Sequence, residues 1–589
     1  MQSLEKPART AHAWERLPGG ASVGDAIVAA MAAGGVDHLF FTSGSEIVFY
    51  QEAIAKARAQ GRTAPRLITM THEHASLNAA LGYAAVSGKP VATAAHVDAG
   101  TFNYGGALHT AWHANLPVLI TAGGSPVAYP RTMAGARDRG GHLWLQQGFD
   151  QNGIVRNYVK WDHRLEIADN PGLTVSRALQ VAQSELPGPV YLTVPRELSL
   201  MDARDDAFPT ASQLGIPRPI APDPDGIREL AEKLVDARNP YVVVSGSGRN
   251  PATVPALVDL CELLAMPVCG STRRAYHCFP KDHPLYHGVV NLKDADVVLV
   301  LEANVPWIPG VTGPAPDAYV AVVDVDPVKE KTPTYEFTAD QRIVADSLRA
   351  IEALTDAVRA RLSAGARAVI AERAARWNEH ARVRSAQAER DALAVATKSP
   401  IDPVWLAYNI GEVVDDDCIV FDETLGGGNL DQYLCCARPG SYFANPASSG
   451  GWSPGAAFGA KLAAPERDVI AVTGDGFYLY STANTAIWAA AHYGAPFMVV
   501  VYQNRSYTTA TIGVDEVFPG GYAARAGYDG GYFDPPVDFA KEAEAAGGYG
   551  ENVSDPAEVG PALRRGREQM RRGKPAVISV WLPRILQSD

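Results

Sequence analysis

Two apolar runs, Val469 to Thr473 and Phe497 to Tyr502, each stop at small or polar residues: Gly474-Asp475-Gly476 closes the first and Gln503-Asn504 the second. The stretch between them, roughly Ser481 to His492, is Ala-rich with spaced apolar positions. The unit therefore predicts strand, tight glycine turn, helix and strand. Both polar ends then lie on one sheet edge, and a chain built around such a unit is an α/β protein.

The residue types at that edge suit a metal and a phosphate. Mg²⁺ takes near-octahedral oxygen ligands and is commonly held by one or two protein groups plus substrate phosphates. Asp475 offers a carboxylate, Asn504 an amide oxygen, and the backbone carbonyl at Ser506 a third oxygen. Gly474 and Gly476 let backbone N–H groups approach phosphate, and the helix N-terminus that follows adds a favourable field. A lone Gly-Asp-Gly turn occurs in ordinary loops; the paired strand ends are what point to a magnesium-diphosphate cradle.

This spacing resembles the thiamine diphosphate (ThDP) motif of pyruvate decarboxylases, acetolactate synthases and benzoylformate decarboxylases. Two departures stand out: the first residue of the closing pair is Gln503, and Asn504 lies 29 positions beyond Asp475, slightly further than in those families. The second residue of the pair is the ligand the resemblance requires. About 400 residues upstream, Thr71-His72-Glu73-His74-Ala75 supplies a second match. In this superfamily a glutamate at a helix start hydrogen-bonds the cofactor's aminopyrimidine and favours the imino tautomer, whose nitrogen removes the thiazolium C2 proton. Glu73 opens an Ala-rich helix expected to run to about Val86, followed by Ser87-Gly88-Lys89-Pro90 and a new strand. The plain alternative is an acid that complements the helix macrodipole.

At 589 residues the chain is long enough for two to four domains. A net charge of −13 argues against nucleic acid or an anionic membrane as main partner. The six cysteines show no C-x-x-C spacing, the first 21 residues lack an apolar signal region, and no segment reaches about 18 uninterrupted apolar residues, so a cytoplasmic protein is expected. The expected fold class is α/β with three doubly wound parallel-sheet domains. A tail spans 1–21, a pyrimidine-binding domain 22–200, a linker 201–225, a central domain 226–349, a helical linker 350–400 and a diphosphate-binding domain 401–589. The outer two blocks end alike, on Gly188-Pro189-Val190-Tyr191 and Gly573-Lys574-Pro575-Ala576-Val577, as domains of common origin would. The resemblance implies a cofactor held between the first domain of one subunit and the third of another, hence a homodimer at least and a homotetramer as a frequent form.

Further positions resemble benzoylformate decarboxylase. Ser45, in Gly44-Ser45-Glu46, would bind the substrate carboxylate, and His96 would relay protons. Histidine suits that task because its charge changes near neutral pH; the alternative is a strand-end histidine satisfied by backbone. Glu423, Gly426 and Gly427 occupy the diphosphate-contacting loop, where glycine N–H groups replace hydroxyls. Where relatives place a bulky Met, Leu or Ile that wedges the cofactor rings into a bent form, ungapped counting finds Gly450. Either a local shift brings in Trp452 or another side chain, or the wedge is missing. Phe477 and Tyr507, with Tyr478 and Tyr480, either border the cofactor and an acceptor pocket or are core. His283, in Asp282-His283-Pro284, either reaches the active site or is structural. The turn Ser245-Gly246-Ser247-Gly248-Arg249 permits a phosphate contact, so FAD in the central domain stays open.

The expected activity is ThDP- and Mg²⁺-dependent decarboxylation and carboligation of a 2-oxo acid, acetolactate synthase-like, with an aldehyde or ketone acceptor. The alternatives are benzoylformate decarboxylase-like chemistry, a C–C lyase or hydrolase acting on a hydroxyketone, dione or 2-hydroxyacyl-CoA, and a ThDP-binding regulatory subunit without turnover.

Overall fold

The continuous apolar runs become parallel strands covered on both faces, such as Val297–Leu301 and Met498–Gln503, every residue of which is buried. The computed structural model describes residues 14–138, 140–203, 207–271, 275–288 and 291–586. Among these, three six-stranded sheets account for nearly all strands, and every pairing within them is parallel. A two-stranded antiparallel ribbon joins Glu15–Arg16 to Ala207–Phe208. The α/β class with three parallel sheets is as the sequence implies.

The first sheet takes its strands, in chain order, from His38–Phe41, Arg66–Thr69, Val91–Ala95, Val118–Gly124, Trp161–Arg164 and Val190–Pro195. Numbered one to six, they lie in the order 2-1-3-4-6-5. The third sheet is built from Ile419–Glu423, Tyr442–Ala444, Val469–Gly474, Met498–Gln503, Tyr549–Val553 and Ala576–Trp581, and repeats that order, 2-1-3-4-6-5. The central sheet, from Pro240–Val244 to Gln341–Val344, differs: 3-2-1-4-5-6, the order of an open, doubly wound dinucleotide-type sheet. The echoed endings at Val190 and Ala576 thus start the same strand of the same topology, the sixth in chain order of each outer sheet.

The chain divides into two compact units. One is built from residues up to 69, 89–103 and 116–216 and holds the first sheet. The other comprises 70–88, 104–115 and residues from 217 on; it holds the central and third sheets together with the helices Glu73–Ser87 and Gly106–Ala114. The helical stretch after the central sheet is two helices, Ser347–Arg361 and Ala364–Ala394. Arg373 pins the longer one by donating to the carbonyls of Leu264, Ala237 and Arg238. No described helix is long and apolar enough to cross a membrane.

The helix Glu73–Ser87 is buried along almost its whole length, which its small residues allow. It packs against Ser453–Ala463, the helix that follows the second strand of the third sheet just as Glu73–Ser87 follows the second strand of the first. The contact is reciprocal. A Cβ on Gly82 would stand 1.9 Å from the Ala456 carbonyl oxygen, and one on Gly459 1.8 Å from that of Ala79.

Candidate active site

In the third sheet, Gly474 pairs with Tyr502, so the chain leaves the two strands side by side and delivers Asp475 and Asn504 to one edge. Asp475 opens the short helix Asp475–Tyr480 and is 2% exposed. One carboxylate oxygen accepts the Gly476 N–H at 2.8 Å and the other the Arg505 N–H. Burial pushes its carboxyl up to about 7, against the pull of those two N–H groups and of the Arg505 charge. A buried carboxylate so poorly neutralised suits a cation.

The Asn504 amide oxygen accepts from Ser506 N at 3.0 Å and its nitrogen donates to Thr508 at 2.7 Å. Gln503 is spent on structure, accepting from Ser579 and donating to the Val537 carbonyl. Asp475, Asn504 and the Ser506 carbonyl are all hard oxygen donors, and among the described residues no cluster of three or more His, Cys, Asp or Glu competes for a metal. One carboxylate plus neutral oxygens, with the remainder left to phosphate and water, fits Mg²⁺.

The glycines fit a diphosphate. Gly428 has φ +64° and would drive a Cβ to 2.1 Å from the Pro403 carbonyl, so the chain itself demands it. Gly474 has neither a positive φ nor, among the described residues, any neighbour within 4 Å of a would-be Cβ, and Gly426, with a φ of +90°, likewise meets none of them. Gly427 and Gly476 meet only ordinary contacts, Gly476 against the rings of Phe533 and Tyr507. Among the described residues no packing explains Gly474 and Gly476, whereas close approach of a ligand's phosphates would.

Glu423, at the end of the neighbouring strand, is turned inward. Its carboxylate is 1% exposed and accepts from Trp452 N, Ser453 N, Ser453 Oγ and Asn445 Nδ2 at 2.7 to 3.0 Å. It caps the helix Ser453–Ala463 and latches the loop before it; burial raises its carboxyl despite these donors.

Glu73 is 5% exposed at the first position of its helix, whose cap is His72, with Nδ1 accepting from His74 N at 3.1 Å. One turn along, Asn78 donates to the Gly451 carbonyl at 3.3 Å, and Thr71 Oγ1 lies 3.0 Å from Thr485 Oγ1. The structure thus brings the start of the Glu73 helix to the loop that carries Gly450 and to the segment after Asp475. The resemblance sets Glu73 against the third block of another subunit; within this single chain its helix packs on the chain's own third block.

Ser45 and His96 lie in the other unit. Adjacent strands His38–Phe41 and Val91–Ala95 end together, and the turn Thr42–Ile47 meets His96 at the sheet's C-terminal edge. The residue that joins them is Glu46, fully buried. Its carboxylate is 2.5 Å from His96 Nε2, 2.6 Å from Gln146 Nε2 and 2.9 Å from the Ser45 hydroxyl. Burial alone would raise Glu46, but the hydrogen bond and charge of His96, with the Ser45 and Gln146 donors, outweigh it and hold the carboxyl at about 2. Gly44 and Gly123 make room: a Cβ would lie 2.1 Å from His96 Cδ2 at the first and 2.6 Å from Glu46 Cβ at the second.

Glu46 and Gln146 were not singled out from the sequence. Neither carried a local signal of its role: Glu46 is an acid before the apolar run Ile47 to Tyr50, and Gln146 a polar residue far along the chain. Among the aromatics, Tyr478 is core at 1% exposure, Tyr480 and Tyr507 are exposed at 62% and 42%, and Phe477 is half-buried. His283 bonds Leu285 N and Glu262 within the central block. In the central turn, Gly248 is explained by packing on the His277 carbonyl and Arg249 pairs with Glu302 at 3.1 Å. That turn gives FAD no support. A cavity of about 480 Å³ in the first unit, lined by Ser125, Gln151, Arg156 and Arg164 among others, takes in none of the residues singled out from the sequence.

Three family models match the chain: thiamine pyrophosphate enzyme, N-terminal TPP binding domain, over residues 21–154; central domain, over 227–354; and C-terminal TPP binding domain, over 427–580. The chain is 29% identical over 457 residues to benzoylformate decarboxylase of Pseudomonas aeruginosa, covering 75% of this chain and 79% of that protein. It is 23% identical over 565 residues to a probable acetolactate synthase large subunit of Methanocaldococcus jannaschii, covering 92% and 89%. To sulfoacetaldehyde acetyltransferase of Castellaniella defragrans it is 25% identical over 602 residues, covering 95% and 93%. Among solved structures, the ThDP-dependent 4-hydroxybenzoylformate decarboxylase of Rhodococcus jostii superposes with a TM-score of 0.76 at 22% identity, covering 96% of this chain and all of that one.

Proposed function

Because this chain belongs to the thiamine diphosphate-dependent superfamily of 2-oxoacid decarboxylases and carboligases, we propose that it decarboxylates a small 2-oxo acid with Mg²⁺-bound ThDP and releases or ligates the product. The observation that carries this reading is Asp475: a carboxylate 2% exposed, met by two N–H groups, beside two glycines the chain does not need for itself. Asp475, Asn504 and the Ser506 carbonyl would hold Mg²⁺. Gly426, Gly427, Gly474 and Gly476 would offer N–H groups and space to the diphosphate, with Glu423 keeping the adjoining loop in place. When bound, the cofactor supplies an electron sink for the pair left behind by CO₂.

The rest is done by this chain's own groups. Glu73 would hold the proton that passes to and from the cofactor's aminopyrimidine. Ser45 Oγ donates to the substrate carboxylate, giving up its bond to Glu46. His96 moves a proton to or from the substrate's oxygen, and Glu46 fixes which way the imidazole points. Purified protein supplied with ThDP, Mg²⁺ and pyruvate or benzoylformate, with and without acetaldehyde, is expected to release CO₂ from at least one acid. Absence of CO₂ from both, with ThDP bound, would move the reading to cleavage of a hydroxyketone, dione or 2-hydroxyacyl-CoA.

Glu46→Gln tests the His96 assignment. It keeps the shape and removes the charge, so turnover is expected to drop about 10–100-fold with ThDP affinity unchanged and Glu46→Asp recovering part of the loss. Stability gives an independent readout. A carboxyl held at about 2 in the folded protein, against roughly 4.3 unfolded, stabilises fully above the higher value and loses that contribution as pH falls through the lower. The melting-temperature gap between wild type and Glu46→Gln should therefore close as pH falls below about 4, and a gap that widens there would contradict the pairing.

A further inference from the structure

Gly450 and Gly451 lie flat on the segment that begins at Asp475. A Cβ on Gly450 would stand 2.1 Å from Cδ1 and 2.6 Å from Cε1 of Phe477; one on Gly451, at φ +89°, would stand 2.7 Å from Ser481 N. The Phe477 ring thus fills the volume that a side chain at position 450 would take. Trp452 does not compete for that place. It is 4% exposed, its ring lies 5.2 Å from that of Phe421, and its backbone N–H donates to Glu423. Phe477 is half-buried, two residues beyond Asp475 and next to a glycine whose own surroundings are loose. Phe477 is therefore not sealed in the core, and its place in the chain is the turn that carries Asp475 and Gly476.

Resting on the ThDP reading above, we infer that Phe477 is the positioning residue that gives this cradle its bulky apolar ledge, supplied from the helix after the glycine turn because the loop position, Gly450, carries no side chain. Glycine and phenylalanine are then one device, since only one of the two positions can carry bulk. Gly450→Leu alone forces a clash with the ring. Phe477→Ala alone leaves a gap where the cofactor's rings should rest. The double variant moves the bulk from one position to the other.

The test titrates wild type, Phe477→Ala, Phe477→Leu and Phe477→Ala/Gly450→Leu with Mg²⁺ plus ThDP and, separately, Mg²⁺ plus inorganic pyrophosphate by calorimetry. Near-ultraviolet circular dichroism of bound ThDP reports the aminopyrimidine's setting. Phe477→Ala is expected to weaken ThDP about 10–100-fold and change the dichroic band, while pyrophosphate stays within about threefold of wild type. Phe477→Leu and the double variant should recover most of the affinity and the band. If Phe477→Ala binds ThDP as wild type does with the same band, or weakens pyrophosphate equally, or is not improved by adding Gly450→Leu, the ledge is overturned and the ThDP reading stands. If folded wild type binds pyrophosphate but not ThDP, the reading itself falls.

Discussion

Glu73→Gln is expected to lower turnover by about 10²–10⁴-fold while ThDP affinity stays within a few-fold of wild type. The side chain sits at the first helical position and is 5% exposed, and the helix below it is held by packing along nearly its full length. An amide of the same shape leaves that packing intact, and the His72 cap does not depend on the carboxylate. What disappears is a group able to exchange a proton with a ring nitrogen. A loss of that size is about 3–5 kcal/mol of transition-state stabilisation, more than an incidental surface acid supplies. Steady-state kinetics with calorimetric ThDP titration decides it. Unchanged turnover would assign Glu73 to the macrodipole alone.

Gly459→Val is expected to prevent accumulation of folded protein or to destabilise it by about 4 kcal/mol or more. Even a bare Cβ there would approach the Ala79 carbonyl oxygen to 1.8 Å and the Ala79 carbonyl carbon to 2.7 Å, all backbone that cannot rotate away. The two helices must part, and the small residues between them lose contact together. Typical stabilities of 5–15 kcal/mol leave little margin for that. Gly513→Ala is the control: it lies inside the helix Thr508–Val517, has nothing within 4 Å of a Cβ and no positive φ, so it should be neutral or stabilising by up to about 1 kcal/mol. Chemical denaturation of the pair reads the difference; equal stability of Gly459→Val and wild type would mean the helices are not packed as described.

The strand-turn-helix-strand unit around Asp475 was legible because its strands are continuous apolar runs cut off by glycine and amide residues, and that pattern survives whatever surrounds it. The strand Val469–Gly474 and the helix Glu73–Ser87 fall within a residue or two of expectation. The turn after Asp475 contained more than expected, since Asp475–Tyr480 forms its own short helix before Ala483–Tyr493. What stayed hidden depends on contacts between distant segments. Glu46 reads locally as an acid in a loop; only sheet pairing turns it toward His96. Glu423 reads as a loop ligand, yet its carboxylate is spent on a helix that begins thirty residues later. Gly450 reads as a deficit until the ring of Phe477 is seen lying over it.

The reciprocal contact between Gly82, Ala79, Gly459 and Ala456 also restricts how this sequence can drift. Each glycine answers to a carbonyl hundreds of residues away, and the two contacts share one interhelical spacing. A larger residue at either glycine widens the gap at both, and no single change on the opposite helix can restore it, because the obstructing atoms are main chain. Variation along this seam is therefore confined to positions that leave both glycines untouched, however freely the strands and loops of the two outer blocks diverge.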